Sequence, residues 1–120
     1  MAAKESSPAG SMAREPDYEA VMAREFNAAT AEGTRHALIR FIARHPVHAY
    51  ADQARVLLDA HPGMPSSRPG PVDPDADIFS AFDRARQVGT AEAYRSFIER
   101  YAPHPLTEEA ERLQRAHRGQ

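Results

Sequence analysis

"GTRHALIRFIARHPVHAYADQARVLLDAH", Gly33 to His61, decides the fold, because "GTAEAYRSFIERYAPHPLTEEAERLQRAH", Gly89 to His117, repeats its pattern 56 residues later. Extended upstream to Phe26 and Phe82, the two stretches coincide without a gap at thirteen of thirty-six positions. Most of the shared residues have structural jobs. Gly33 and Gly89 supply the left-handed residue that ends a helix. Thr34 and Thr90 are N-cap residues for the helix that follows. Phe41/Phe97, Ile42/Ile98 and Leu57/Leu113 recur on apolar stripes. Ala37/Ala93 and Ala54/Ala110 are small residues that let neighbouring helices approach closely. Repetition of this kind marks a repeated supersecondary unit.

Each copy reads as three helices. Val21, Met22, Phe26 and Ala29 form one stripe over about Asp17–Glu32. Ala37, Leu38, Phe41 and Ile42 form a second, limited by Pro46, which pushes its predecessor out of the helical region. Tyr50, Ala51, Ala54, Leu57 and Leu58 form a third, ending near Ala60. In the second copy the stripes are Ile78, Phe79, Phe82 and Ala85, then Ala93, Tyr94, Phe97 and Ile98, then Leu106, Ala110 and Leu113. Asp73 or Asp75 is the expected cap of the fourth helix, with Pro74 in its first turn. The expected fold is all-α: two similar three-helix units, an internal duplication, packed as one six-helix domain. A unit of about 44 residues cannot bury its own stripe, so the two should share an interior, related by approximate two-fold symmetry. Exchange of units between chains, giving a homodimer, is the competing arrangement.

The segments between the units differ in kind. Residues 1–15 are small and polar, and read as a disordered tail in which Met12 is an alternative start. The first unit is expected over 16–61 and the second over 76–117. Between them, 62–75 is a Pro-rich linker, "PGMPSSRPGPVDPD", too rich in proline and glycine for a helix.

The pattern G-T-x-x-A-x-x-x-F-I-x-R-H-P-x-H-x-x-A-x-x-A resembles bacterial tetratricopeptide-like helical repeats, and the short three-helix segments appended to caspase-like and formylglycine-generating-type domains. The resemblance spans residues 18–61 and 76–117. It implies a helical scaffold and a protein partner. The second copy departs from it at Tyr101–Pro103, where the proline falls one place late, and the linker interrupts a continuous array.

Chemistry finds little purchase in this chain. There is no cysteine, hence no disulfide or thiolate site. Of the six histidines, His36, His45, His48, His61, His104 and His117, the tightest pair is split by Pro46 and lacks the i, i+4 spacing of a helical zinc site. His48 and His104 fall at helix starts and His61 and His117 at helix ends, where structural roles suffice. Ser80 and Ser96 have no evident His–carboxylate partners, and Gly33 and Gly89 are isolated, so no phosphate loop exists. No catalytic, cofactor-binding or metal-binding residue is expected, and the protein is read as not an enzyme. The arginines are interleaved with acids, which reads as a solvated face. Arg44 and Arg100 recur at equivalent positions and are expected to pair with a carbonyl or carboxylate.

With a formal charge of −2 there is no global field favouring nucleic acid or an anionic membrane. No apolar run is long enough for a membrane span, and the N-terminus lacks a signal-peptide core, so a cytoplasmic location is expected. The functional expectation is non-catalytic protein–protein interaction or scaffolding. The alternative is a nucleic-acid-associated or regulatory helical domain using surface arginines.

Overall fold

The computed structural model describes residues 17–118. These form six helices and no strand: α1 (Tyr18–Glu32), α2 (Arg35–Arg44), α3 (Ala49–Ala60), α4 (Ala76–Val88), α5 (Ala91–Tyr101) and α6 (Pro105–Arg118). The expected tail and the alternative start at Met12 lie outside the described residues.

Positions 56 residues apart do the same local work. Gly33 and Gly89 are left-handed, with φ of 71° and 72°, and each returns its N–H to a helical carbonyl. The Thr34 and Thr90 hydroxyls each accept the N–H three residues on, at 3.1 Å. Phe26 meets Phe41 edge-on at 5.5 Å, and Phe82 meets Phe97 the same way at 5.5 Å. The His48 and His104 rings each accept a backbone N–H at Nδ1, from Tyr50 and Leu106, at 3.1 Å. With Nδ1 accepting, the ring proton sits on Nε2, which faces Glu19 from His48 and Asp75 from His104.

The start of α4 differs from expectation. Pro74 lies before the helix, which begins at Ala76. Asp75 occupies the N-cap position, and the turn before it is held by Asp73, whose carboxylate accepts the Asp75 N–H at 2.8 Å and whose carbonyl accepts that of Ala76 at 3.0 Å. Asp75 makes no cap bond because its side chain turns to His104.

The units do not pack by two-fold symmetry. Helix α2 meets α1 and α3 of its own unit and also α4 and α6 of the other. Under a two-fold relation α5, the sequence counterpart of α2, would meet α1 and α3. Instead it packs on α4 and α6. Helix α2 is therefore central and buries seven of its ten residues, spread around the helix and including Arg35, His36 and Ile39, whereas α5 buries only Tyr94 and Phe97. The arrangement is head to tail, and the reason lies where the two sequences disagree. Unit 1 offers Arg35, His36, Ile39 and Leu58; the same positions in unit 2 hold Ala91, Glu92, Arg95 and Gln114. Unit 2 receives them with Phe79, Ser80 and Asp83; the same positions in unit 1 hold Ala23, Arg24 and Asn27. Only one pairing of faces is complementary, and the equivalent positions on the other faces are mostly polar.

The linker is fastened down. Its Pro65 and Ser66 carbonyls accept the Arg35 and His36 N–H groups at 2.9 and 3.0 Å, pairing donors that a helix start leaves open. Arg68 reaches the Glu32 carbonyl, Asp73 pairs with Arg40, and Met64 packs against the core.

Candidate interaction groove

The histidines sit apart. Among the described residues no group of three His, Cys, Asp or Glu side chains is placed to hold a metal ion. His45 faces Glu25 at 2.8 Å, His61 caps α3, and His117 stacks on Tyr94. His36 Nε2 lies 3.1 Å from Ser80 Oγ and its ring is edge-on to Phe79. Burial lowers the His36 pKa, more strongly than the nearby Asp83 raises it. No carboxylate hydrogen-bonds the other ring nitrogen among the described residues, so the pair joins the two units and lacks the third member of a nucleophile-activating set.

Several arginines expected on a solvated face are instead structural. The buried Arg35 guanidinium forms a two-pronged bond to the buried Asp83 carboxylate, with Nε and Nη2 both at 2.9 Å. Its Nη1 donates to the Leu58 and His61 carbonyls, and Gln87 supplies a further donor to Asp83. Arg55 bridges the units a second time, to the buried Glu109, with bonds of 2.7 and 2.8 Å. Burial would raise the Glu109 pKa, but hydrogen bonds from Arg55 and Arg112, with their charges, outweigh it and hold the carboxyl below its usual 4.5. Arg86 adds a third link, to Asp59 at 2.6 Å. Sequence reasoning missed these pairs. The signal was available in the broken positions of the repeat: Arg35 against Ala91, Asp83 against Asn27, Arg55 against Glu111 and Glu109 against Gln53.

Arg44 and Arg100 depart from expectation too. Among the described residues neither pairs with a carbonyl or carboxylate; Arg100 lies over the Tyr101 ring at 5.5 Å. Both line grooves. Between α1 and α2 a groove of 150 Å³ is lined by Glu25, Ala28, Ala29, Glu32, Ala37, Arg40, Phe41 and Arg44. All eight positions, moved by 56, line a groove of 460 Å³ between α4 and α5: Ala81, Arg84, Ala85, Val88, Ala93, Ser96, Phe97 and Arg100. The volume difference follows from the substitutions. Glu32 and Arg40 approach to 3.7 Å across the first groove; their counterparts Val88 and Ser96 cannot. Glu25 becomes Ala81. What remains in the second groove is a floor of alanines and Phe97, Tyr101 at one end, and an exposed Val88 on the rim. Arg84 and Arg100 are its exposed cations, and neither is ion-paired among the described residues. Asp77 supplies one opposing charge.

A further recess of 420 Å³ at the unit junction is lined by Arg40, Arg44, Asp73, Asp75, Phe79 and His104. Its Arg40–Asp73 and His104–Asp75 pairs already satisfy one another. No helix among the described residues is long and apolar enough to cross a membrane. Comparison of the chain with known protein families, with curated proteins and with solved structures finds no match.

Proposed function

We propose that the protein is a non-catalytic interaction module that binds a protein partner through the groove between α4 and α5. The observation that carries this reading is the contrast between the two equivalent grooves. One is narrower and spanned by the Glu32–Arg40 contact, and the other lacks that contact and presents apolar surface with two arginines that are not ion-paired among the described residues. Unsatisfied apolar surface beside unpaired charge is the composition of a docking site. The helical-repeat resemblance agrees with this reading. A nucleic-acid role draws no comparable support, because Arg35, Arg55 and Arg86 are engaged within the protein.

A photo-crosslinking residue placed at Ser96 tests the proposal in native cell extract, with the same residue at the exposed Val47 as control. The expected result is a discrete protein adduct from position 96, absent from position 47 and suppressed by Ala81→Trp. Equal labelling from both positions contradicts it.

A further inference from the structure

We propose that the occupant of the α4/α5 groove is an amphipathic helix of a partner protein, with small or aliphatic residues on one face and carboxylates flanking them. This rests on the interaction reading above and adds the shape and charge of the partner.

The shape argument comes from helix geometry. At about 100° per residue, Ala81, Arg84 and Val88 lie on roughly the opposite side of α4 from Phe79 and Asp83, which face unit 1. The groove therefore faces largely away from unit 1, with Ser80 at its edge, and among the described residues no third helix lines it. Its lining along α4, from Asp77 through Ala81, Arg84 and Ala85 to Val88, runs roughly 16 Å at 1.5 Å per residue. That is the length of three helical turns. Residues spaced i, i+3, i+4 and i+7 on two antiparallel helices form the kind of trough into which an amphipathic helix lays its apolar face, completing a bundle. Alanine and serine along the floor allow a third helix to come close.

The charge argument comes from the arginines. Arg84 stands where unit 1 has Ala28, and Arg100 has lost the Glu25 and Glu32 carboxylates that share the groove with Arg44 in unit 1. Among the described lining residues, two arginines against Asp77 leave the groove cationic. Carboxylates beside the apolar stripe of the occupant replace the missing glutamates.

Three fluorescein-labelled synthetic peptides test this by anisotropy against the full chain. One carries a Leu/Ala stripe at i, i+3, i+4 and i+7 flanked by glutamates. The second has lysines in place of the glutamates, and the third scrambles the first. The wild-type protein should bind the glutamate peptide about fivefold more tightly than the lysine peptide, with the preference shrinking as salt rises, and should bind the scrambled peptide weakest. Arg84→Glu with Arg100→Glu, both surface changes, should reverse the preference. Ala81→Glu, Val88→Glu and Ser96→Arg together write the residues of unit 1 into the groove and should weaken all binding about tenfold. No binding by the glutamate peptide, equal binding of the scrambled peptide, or a preference unchanged by the double reversal would overturn the inference. If Ser96 still crosslinks a partner in that event, the interaction reading stands and only the helical, acidic occupant falls.

Discussion

Arg35 and Asp83 carry the most consequence of any two residues here, because both are buried and each leaves the other stranded if removed. Breaking a buried pair on one side costs about 3–5 kcal/mol, while replacing both members with apolar residues is much cheaper. Asp83→Ala should therefore lose about 3–5 kcal/mol in urea unfolding, and Arg35→Met with Asp83→Leu should lose clearly less. Glu109 and His36 set the pH response. Glu109 has a lowered pKa when folded, so its stabilisation is complete above its usual value and is lost as pH falls through the folded value. His36 also has a lowered pKa. The unfolded chain takes up that proton more readily, so stability falls as pH drops below 6.5. Urea midpoints should decline in two stages on acidification, with Glu109→Gln flattening the lower stage and His36→Gln the upper. Single-residue chemistry was the least legible level of the sequence. Thr34 and Gly33 could be read because caps act within four residues, whereas Arg35 finds Asp83 across 48 positions.

At the scale of elements the sequence was far more explicit. Stops, caps and stripes placed the helices, because each signal is local and appears twice. The exceptions involve contacts between elements: the Asp75 side chain turns to His104 and makes no cap bond, and the linker anchors to α2. Those contacts can be measured. The Arg35 and His36 amides bond to Pro65 and Ser66, while Ala91 and Glu92, at the equivalent start of α5, have no such partners among the described residues. Hydrogen exchange should be slow at Arg35 and His36 and fast at Ala91 and Glu92; equal exchange would mean the linker is not seated. Thr34→Ala and Thr90→Ala should each cost about 1 kcal/mol, read by thermal or urea melting. The Thr34 change should cost more, since its buried hydroxyl also faces Glu32.

For the whole molecule, the sequence repetition suggested symmetry, and the differences between the units exclude it. The pattern of matches could not distinguish a two-fold pair from a head-to-tail pair, since both preserve the stripes within each unit. The mismatches decide it: Ile39 against Arg95, Leu58 against Gln114 and Phe79 against Ala23 give one complementary junction and two polar ends. The same differences leave the α4/α5 groove wider than its counterpart. A junction satisfied within one chain leaves neither end a complementary face for another copy, so the protein should sediment as a monomer at micromolar concentration.

The central claim is that α2 joins both units into one interior, and cooperative unfolding tests it most directly. Environment-sensitive labels at Tyr18 in unit 1 and Arg95 in unit 2, both exposed, should report a single coincident urea transition, as one folding unit requires. Two transitions with separate midpoints, unit 2 melting while unit 1 persists or the reverse, would contradict it.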